Sequence, residues 1–183
     1  MIHWPDTHPI LTDDRIALRP FDAGDVDAVF AACQDAAIQR WTRVPVPYRM
    51  EDAEQFIGNF VGQQWRDGDG YHAAAVDRGS GNLLGACALM ILDRSAEVAE
   101  AGYWVDPAHR GRGVASAALE LLSSWAFGEL GLARIELHVD PRNEASIAVG
   151  RRVGFEIEGT LRRRVRRLGE QRDLLMMARL SGT

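Results

Sequence analysis

Glu100, on an apolar stretch over residues 98–105, and the glycines of Arg110-Gly111-Arg112-Gly113-Val114-Ala115 just after it are the residues of this chain whose types and spacing could do chemistry. Gly111 and Gly113 leave the main chain bare between Arg110 and Val114, so successive amides can turn inward and form a concave nest for an anion. A helix starting near Val114 adds unpaired N–H groups, as far as Ser116, and the positive end of its dipole. A diphosphate is the guest that suits such a cradle. Glu100 could serve as a general base, since a carboxylate placed to take a proton from a reacting group is worth ~100-fold or more in rate. Its ordinary alternative is a solvated or paired strand glutamate. His138, on a neighbouring strand, is the fallback base because an imidazole titrates near working pH.

Several glycine-rich loops hold phosphates, and the sequence removes two of them. All 21 basic residues are arginine, so the Gly-Lys-Ser/Thr of a nucleoside-triphosphate loop is excluded. A dinucleotide fingerprint requires G-x-G-x-x-G near the start of a domain, whereas Ser116 stands at the third glycine position and two strand-like segments precede this loop. What remains is R-x-x-G-x-A, which resembles the coenzyme A diphosphate signature of the GNAT acetyltransferases. Six residues with two glycines recur by chance, and a second cluster tips the balance. Residues 133–155, ARIELHVDPRNEASIAVGRRVGF, place Asn143 at a helix start, Ser146 three residues on, and a closing Gly154-Phe155.

Together these clusters resemble the GNAT acetyltransferases, and within them the Rim-type branch of ribosomal-protein N-terminal acetyltransferases. Glu100-Ala101-Gly102-Tyr103-Trp104 resembles that branch's fourth strand. Gly154-Phe155-Glu156 with Gly159-Thr160-Leu161-Arg162 resembles its sixth, and Asp173 stands where a late acidic residue is usual. The likeness runs over about residues 15–180. It implies an α/β (α+β) GNAT fold: a mixed, mostly antiparallel seven-stranded sheet, splayed between strands 4 and 5, with helices on both faces. It also implies acetyl-CoA as co-substrate, no metal, and an amine acceptor, either a protein N-terminal α-amine or a small-molecule amine. The attack would be direct, in a ternary complex.

The resemblance assigns parts to residues. Amides of Trp104, Val105 and Asp106 would hold the pantetheine and polarise the thioester. The nest of Arg110, Gly111, Arg112, Gly113, Val114, Ala115 and Ser116 would hold the diphosphate. Asn143 would bond the pantetheine arm, or cap its own helix, and Glu100 would be the base. Many family members carry a tyrosine acid four residues before the closing Gly-Phe, but this chain has Gly150 there. Ser146 is then left to hydrogen-bond the departing thiolate. Tyr103 is the weaker alternative, because strand alternation points it away from the face of Trp104. A different donor such as succinyl-CoA, and coenzyme binding without turnover, are the rival readings.

Composition agrees with one domain over residues 1–183, led by an arm over residues 1–14: the chain is 46% hydrophobic and long enough for a core. No apolar run approaches the ~18 residues of a membrane span, and no export signal is recognisable, so a cytoplasmic protein with no membrane partner is expected. Cys33 and Cys87 offer neither metal spacing nor a disulfide framework. The net charge of −5 argues against a DNA partner. It is split as −6 over residues 1–91 and +1 over residues 92–183, which suits an anionic coenzyme in the second half. The run Arg162, Arg163, Arg164, Arg166 and Arg167 reads as a solvated hairpin arm, or as a surface for an acidic partner, the coenzyme's 3′-phosphate or ribosomal RNA. Homodimerisation is left open.

The elements that must position these groups read in the order βααβββαβαββ. A strand over residues 15–20 leads to a helix capped by Asp22, then a proline-stiffened loop over residues 41–48 that is either a connector or a wall of the acceptor pocket. A second helix covers residues 51–65, with a hairpin over residues 71–92. The strand over 98–105, the helix from Val114, the strand over 135–139, a short helix from Asn143 and a final hairpin follow.

Overall fold

The computed structural model describes residues 2–182. The chain opens with a two-residue strand, β1 (Leu11–Thr12), paired antiparallel with β2 (Ile16–Arg19). In β2, Ile16 and Leu18 point into the core. The carboxylate of Asp22 caps a 3-10 turn by accepting from Gly24 N–H, and that turn leads into α1 (Val26–Ala32). Asp35 caps α2 (Ala36–Trp41) by accepting from Ile38 N–H. Two of these elements differ from the sequence expectation. β1 lies in the segment read as an arm, giving eight strands where seven were expected, and α2 lies where no helix was read. Both are too short to show a hydrophobic period.

The helix expected over residues 51–65 is broken by a change of winding. α3 (Met50–Gln55) passes through a π-helical segment, Phe56–Phe60, into α4 (Val61–Arg66), and Val61 N–H reaches back to the Phe56 carbonyl. The wider turn redirects the aromatic face. Phe56 meets both Phe21 and His72, and Phe60 also packs on His72.

The remaining elements are β3 (Gly70–Asp77), β4 (Leu83–Asp93), β5 (Val98–Val105), α5 (Val114–Gly128), β6 (Arg134–Val139), α6 (Glu144–Arg152), β7 (Glu156–Arg167) and β8 (Glu170–Leu180). They form one open sheet in the order β1-β2-β3-β4-β5-β6-β8-β7, with every neighbouring pair antiparallel except β5 and β6. Helices cover both faces. On one, α5 packs over β2, β4 and β5 and buries Leu119, Leu122, Trp125 and Ala126 in the same core that holds Ile135, Leu137 and Met177; each large apolar side chain there is worth about 1.5–3 kcal/mol of burial. On the other, Val29, Ala32, Ile38 and Ala53 form a smaller core that takes in Trp104.

The feature that positions a site is where β5 and β6 part. Their parallel pairing covers Val98↔Arg134, Ala99↔Ile135 and Glu100↔Glu136 and then stops, although β5 continues to Val105 alongside β4 and β6 continues to Val139 alongside β8. A wedge-shaped gap therefore opens beyond Glu100. Gly85 lets β5 lean towards β4 there: a Cβ on Gly85 would overlap the Trp104 carbonyl oxygen and press on Val105 Cα. Only a residue without a side chain admits that approach.

Candidate active site

On the α5–α6 face of the gap, the site is built from main chain. After β5, Asp106 caps a 3-10 turn over Pro107–His109 by accepting from Ala108 N–H. The chain then enters the glycine loop, where Gly111 and Gly113 have φ of 73° and 79°. These are left-handed conformations that glycine adopts without strain. Gly113 is the residue before α5, and the first bond recorded across the helix start runs from Ala117 N–H to the Gly113 carbonyl. The amides of Val114, Ala115 and Ser116 therefore have no partner from the helix itself. Ser116 Oγ is buried without a hydrogen-bond partner at the same spot. A cleft of about 400 Å³ continues from this nest, lined by Asp13, Arg15, Gly113, Ser116, Glu120 and Arg152 among others, so that its two arginines are matched by two carboxylates. Bare amides and an orphaned hydroxyl together fit a diphosphate-bearing coenzyme.

Other expected coenzyme ligands are placed differently. Arg110 turns its side chain away from the nest, donating to Asp35 at 2.6 Å and to the Val105 carbonyl at 3.2 Å. Arg112 offers its carbonyl to Arg15. Asp106 N–H is committed to the Leu84 carbonyl at 2.9 Å, so the expectation that it faces the gap is corrected. The antiparallel ladder alternates, so the Trp104 amide faces β4 as well and its expected place in the gap is corrected too, while Tyr103 and Val105 turn their amides towards the gap. The Trp104 side chain packs into the smaller core instead. Asn143 acts as the N-cap of α6, accepting from Ser146 N–H at 3.2 Å.

Ser146 and Tyr103 meet across the gap. Tyr103 Oη lies 2.9 Å from Ser146 Oγ and 3.3 Å from the Ser146 carbonyl oxygen. The alternation that separates Tyr103 from Trp104 is what brings it to this serine. Burial pushes the Tyr103 phenol up to about 12, so it remains a protonated donor at neutral pH. Gly150, at the position of the absent tyrosine, is closely packed: a Cβ there would stand 2.8 Å from Met177 Cε and 3.0 Å from Leu137 Cδ1.

The opposite face is a network of charged side chains. Glu100 is only 7% exposed, at the point of the wedge. One nitrogen of Arg43, Nη2, touches both its oxygens, at 2.6 and 2.8 Å. His138 Nδ1 lies 3.2 Å from Glu100 Oε2, and its Nε2 lies 2.8 Å from Glu136 Oε2. Arg134 then joins Glu136 to Glu158. Burial alone would raise the Glu100 carboxyl, but the bonds and charge of His138 and Arg43 outweigh it and hold the group below the usual carboxylate range. His138 is raised, first by its bond to Glu100, against the opposing effect of burial, and then by Glu136. Sequence reasoning found Glu100 and His138 but missed Arg43, which comes from the proline-stiffened loop 57 residues earlier.

The charge run on the final hairpin is partly structural. Arg167 Nη2 donates to the carbonyls of Gln39 and Val44 at 2.8 and 2.7 Å, and Arg172 Nη1 to that of Arg40 at 3.3 Å. The hairpin thus fastens the loop that carries Arg43, while Arg162, Arg163 and Arg164 are exposed. Among the described residues no cluster of three or more His, Cys, Asp or Glu could hold a metal ion, and no helix is long and apolar enough to cross a membrane.

Comparison with known proteins gives a consistent result. The model of the acetyltransferase (GNAT) domain family matches residues 15–156. The uncharacterized N-acetyltransferase YoaA of Bacillus subtilis is 31% identical over 154 residues, covering 84% of this chain and 86% of the relative. The spermidine N(1)-acetyltransferase of Escherichia coli is 26% identical, over 88% of this chain and 84% of that one. Among solved structures, RimL, a ribosomal-protein alpha-N-acetyltransferase in complex with coenzyme A, superposes with a TM-score of 0.85 at 22% identity, covering 94% of this chain and 98% of that one; at that identity the likeness is one of fold.

Proposed function

The chain belongs to the GNAT acetyltransferase family, and from that premise we propose that it moves an acetyl group from acetyl-CoA to a primary amine in a ternary complex, with one reactant on each face of the gap between β5 and β6. The observation that carries this reading is the bare-backbone nest at Gly111–Gly113, with the orphaned Ser116 hydroxyl, opening beside that gap. Bound there, acetyl-CoA supplies an activated thioester carbonyl.

The nest amides and Ser116 Oγ hold the diphosphate, and Arg15 and Arg152 line the adjoining cleft. The amides of Tyr103 and Val105, freed from strand pairing, bond the pantetheine as an added strand would and polarise the carbonyl. Asn143 is held beside this path by its own helix. Glu100 faces the gap from the other side, where it attracts the acceptor ammonium and takes its proton, and His138 and Glu136 lead that proton towards the surface. Ser146, backed by the Tyr103 phenol, donates a hydrogen bond where sulfur departs. A protein N-terminal α-amine, as in the ribosomal-protein acetyltransferase, and a small amine, as in the spermidine enzyme, both suit this machinery.

The test is thiol release from acetyl-CoA over a panel of peptides and small amines. Amine-dependent release with a matching acetylated product is the expected result; coenzyme binding with no release for any amine would leave a sensor rather than an enzyme.

A further inference from the structure

Arg43 occupies the place that the acceptor needs. If an ammonium is to lose its proton to Glu100, it must lie against the carboxylate, and that is where Arg43 Nη2 sits. The main chain around Arg43 is fixed on both sides: Thr42 Oγ1 donates to the Ile38 carbonyl at 2.7 Å, Arg167 grips the Gln39 and Val44 carbonyls, and Gln34 Nε2 reaches the Tyr48 carbonyl at 3.2 Å. The side chain is not fixed in the same way. It is 68% exposed, while the Glu100 side chain is 9% exposed. It holds Glu100 through a single nitrogen instead of as a fork, and Nη1 has only Met90 Sδ at 3.9 Å. The stronger, two-pronged geometry is thus left unused.

Displacing this guanidinium is costly or easy depending on the incoming amine. A bare cation, such as a polyamine, would leave Arg43 unpaired beside a second positive charge. An amine that carries its own carboxylate leaves every charge matched: its ammonium takes Glu100, and Arg43 swings from a fixed loop to take the new carboxylate as a fork. We propose that the acceptor is a primary amine bearing a carboxylate a few bonds from its nitrogen, selected by transfer of Arg43 from Glu100 to that carboxylate. This rests on the acetyltransferase reading above and narrows its acceptor. A free amino acid supplies this chemistry, and so does a peptide whose first residues are acidic.

The experiment compares kcat/KM, by thiol release from acetyl-CoA, for alanine against alaninamide, for Ala-Asp-amide against Ala-Asn-amide, and for putrescine. The wild type should favour the carboxylate-bearing member of at least one pair by about ten- to hundredfold, and putrescine should be poor. The favoured pair names the source, free amino acid or acidic peptide. Arg43→Gln should bring that ratio near one, mainly through KM, and improve putrescine; Arg43→Lys should recover part of the preference. Ratios near one in the wild type, or an Arg43→Gln variant that weakens all amines alike, would overturn the proposal. So would loss in Arg43→Gln of a preference for succinyl-CoA over acetyl-CoA with the amine ratios unmoved, since Arg43 would then read the donor. If no amine is turned over, the acetyltransferase reading fails, and calorimetric binding of alanine against alaninamide to the coenzyme A complex still decides the selection by Arg43.

Discussion

On the α5–α6 face of the gap the groups suited to the reaction are main-chain amides, two glycines in left-handed conformation, a capping asparagine and a pair of hydroxyls; on the opposite face they are side chains of Arg43, Glu100, His138, Glu136 and Arg134 joined end to end. The first surface suits a coenzyme whose diphosphate and amide-rich arm do not vary. The second suits a reactant distinguished by its charge. Backbone cradles depend on local conformation and tolerate side-chain change, whereas a chain of ion pairs can be retuned by altering one member. In this chain the two meet along a single edge, where β5 leaves β6 after Glu100.

The comparison breaks first where both faces share one support. Gly85→Ala places a Cβ against the Trp104 carbonyl and Val105 Cα. It should cost several kcal/mol, about 3 or more, by chemical denaturation, and weaken both coenzyme and acceptor binding because β5 must shift. A neutral effect would mean that the lean of β5 does not depend on glycine.

A sharper cut uses one residue from each face. Glu100→Gln should lower kcat by ~100-fold with acetyl-CoA affinity unchanged, and Ser146→Ala should lower it by only about tenfold. Stopped-flow turnover beside calorimetry separates the two effects. Equal losses, or a changed coenzyme affinity in Glu100→Gln, would mean the faces are not independent.

The smallest expected effect is on pH. Glu100 is held below its ordinary value, so its contribution to stability is present above ~4.3 and lost as pH falls through the lowered value. His138 is raised, so its contribution is full below ~6.5 and lost as pH rises through the raised value. The charged face should therefore stabilise the fold most in mildly acidic solution, and Glu100→Gln should flatten that maximum in a Tm–pH series. An unchanged maximum would mean that the Glu100–His138 pair does not set it.

The same contrast accounts for what could be read from the residues alone. Gly111 and Gly113 announce their conformations because those are local, and Asn143 and Ser146 announce a helix start for the same reason. The long strands and α5 are legible from apolar periods, and the mixed sheet with its splay follows from the family resemblance. β1 and α2 are too short for a period. The π-helical segment keeps apolar residues at near-helical spacing and hides its extra residue. The Arg43–Glu100 and Tyr103–Ser146 contacts join residues 57 and 43 positions apart, a pairing that no spacing rule contains. Asp106 was misassigned because the side of a strand on which an amide lies depends on its partner's register, here Leu84.

The central claim is that a diphosphate-bearing coenzyme lodges on the bare main chain at Gly113. Calorimetric titration of acetyl-CoA into wild type and Gly113→Glu, with circular dichroism to establish that both are folded, tests it most directly. Micromolar-class binding by the wild type, about 10⁻⁶ M, and at least ~100-fold weaker binding by the variant are predicted, because the substitution puts a side chain and a negative charge into the nest. Equal affinities for two folded proteins would contradict it.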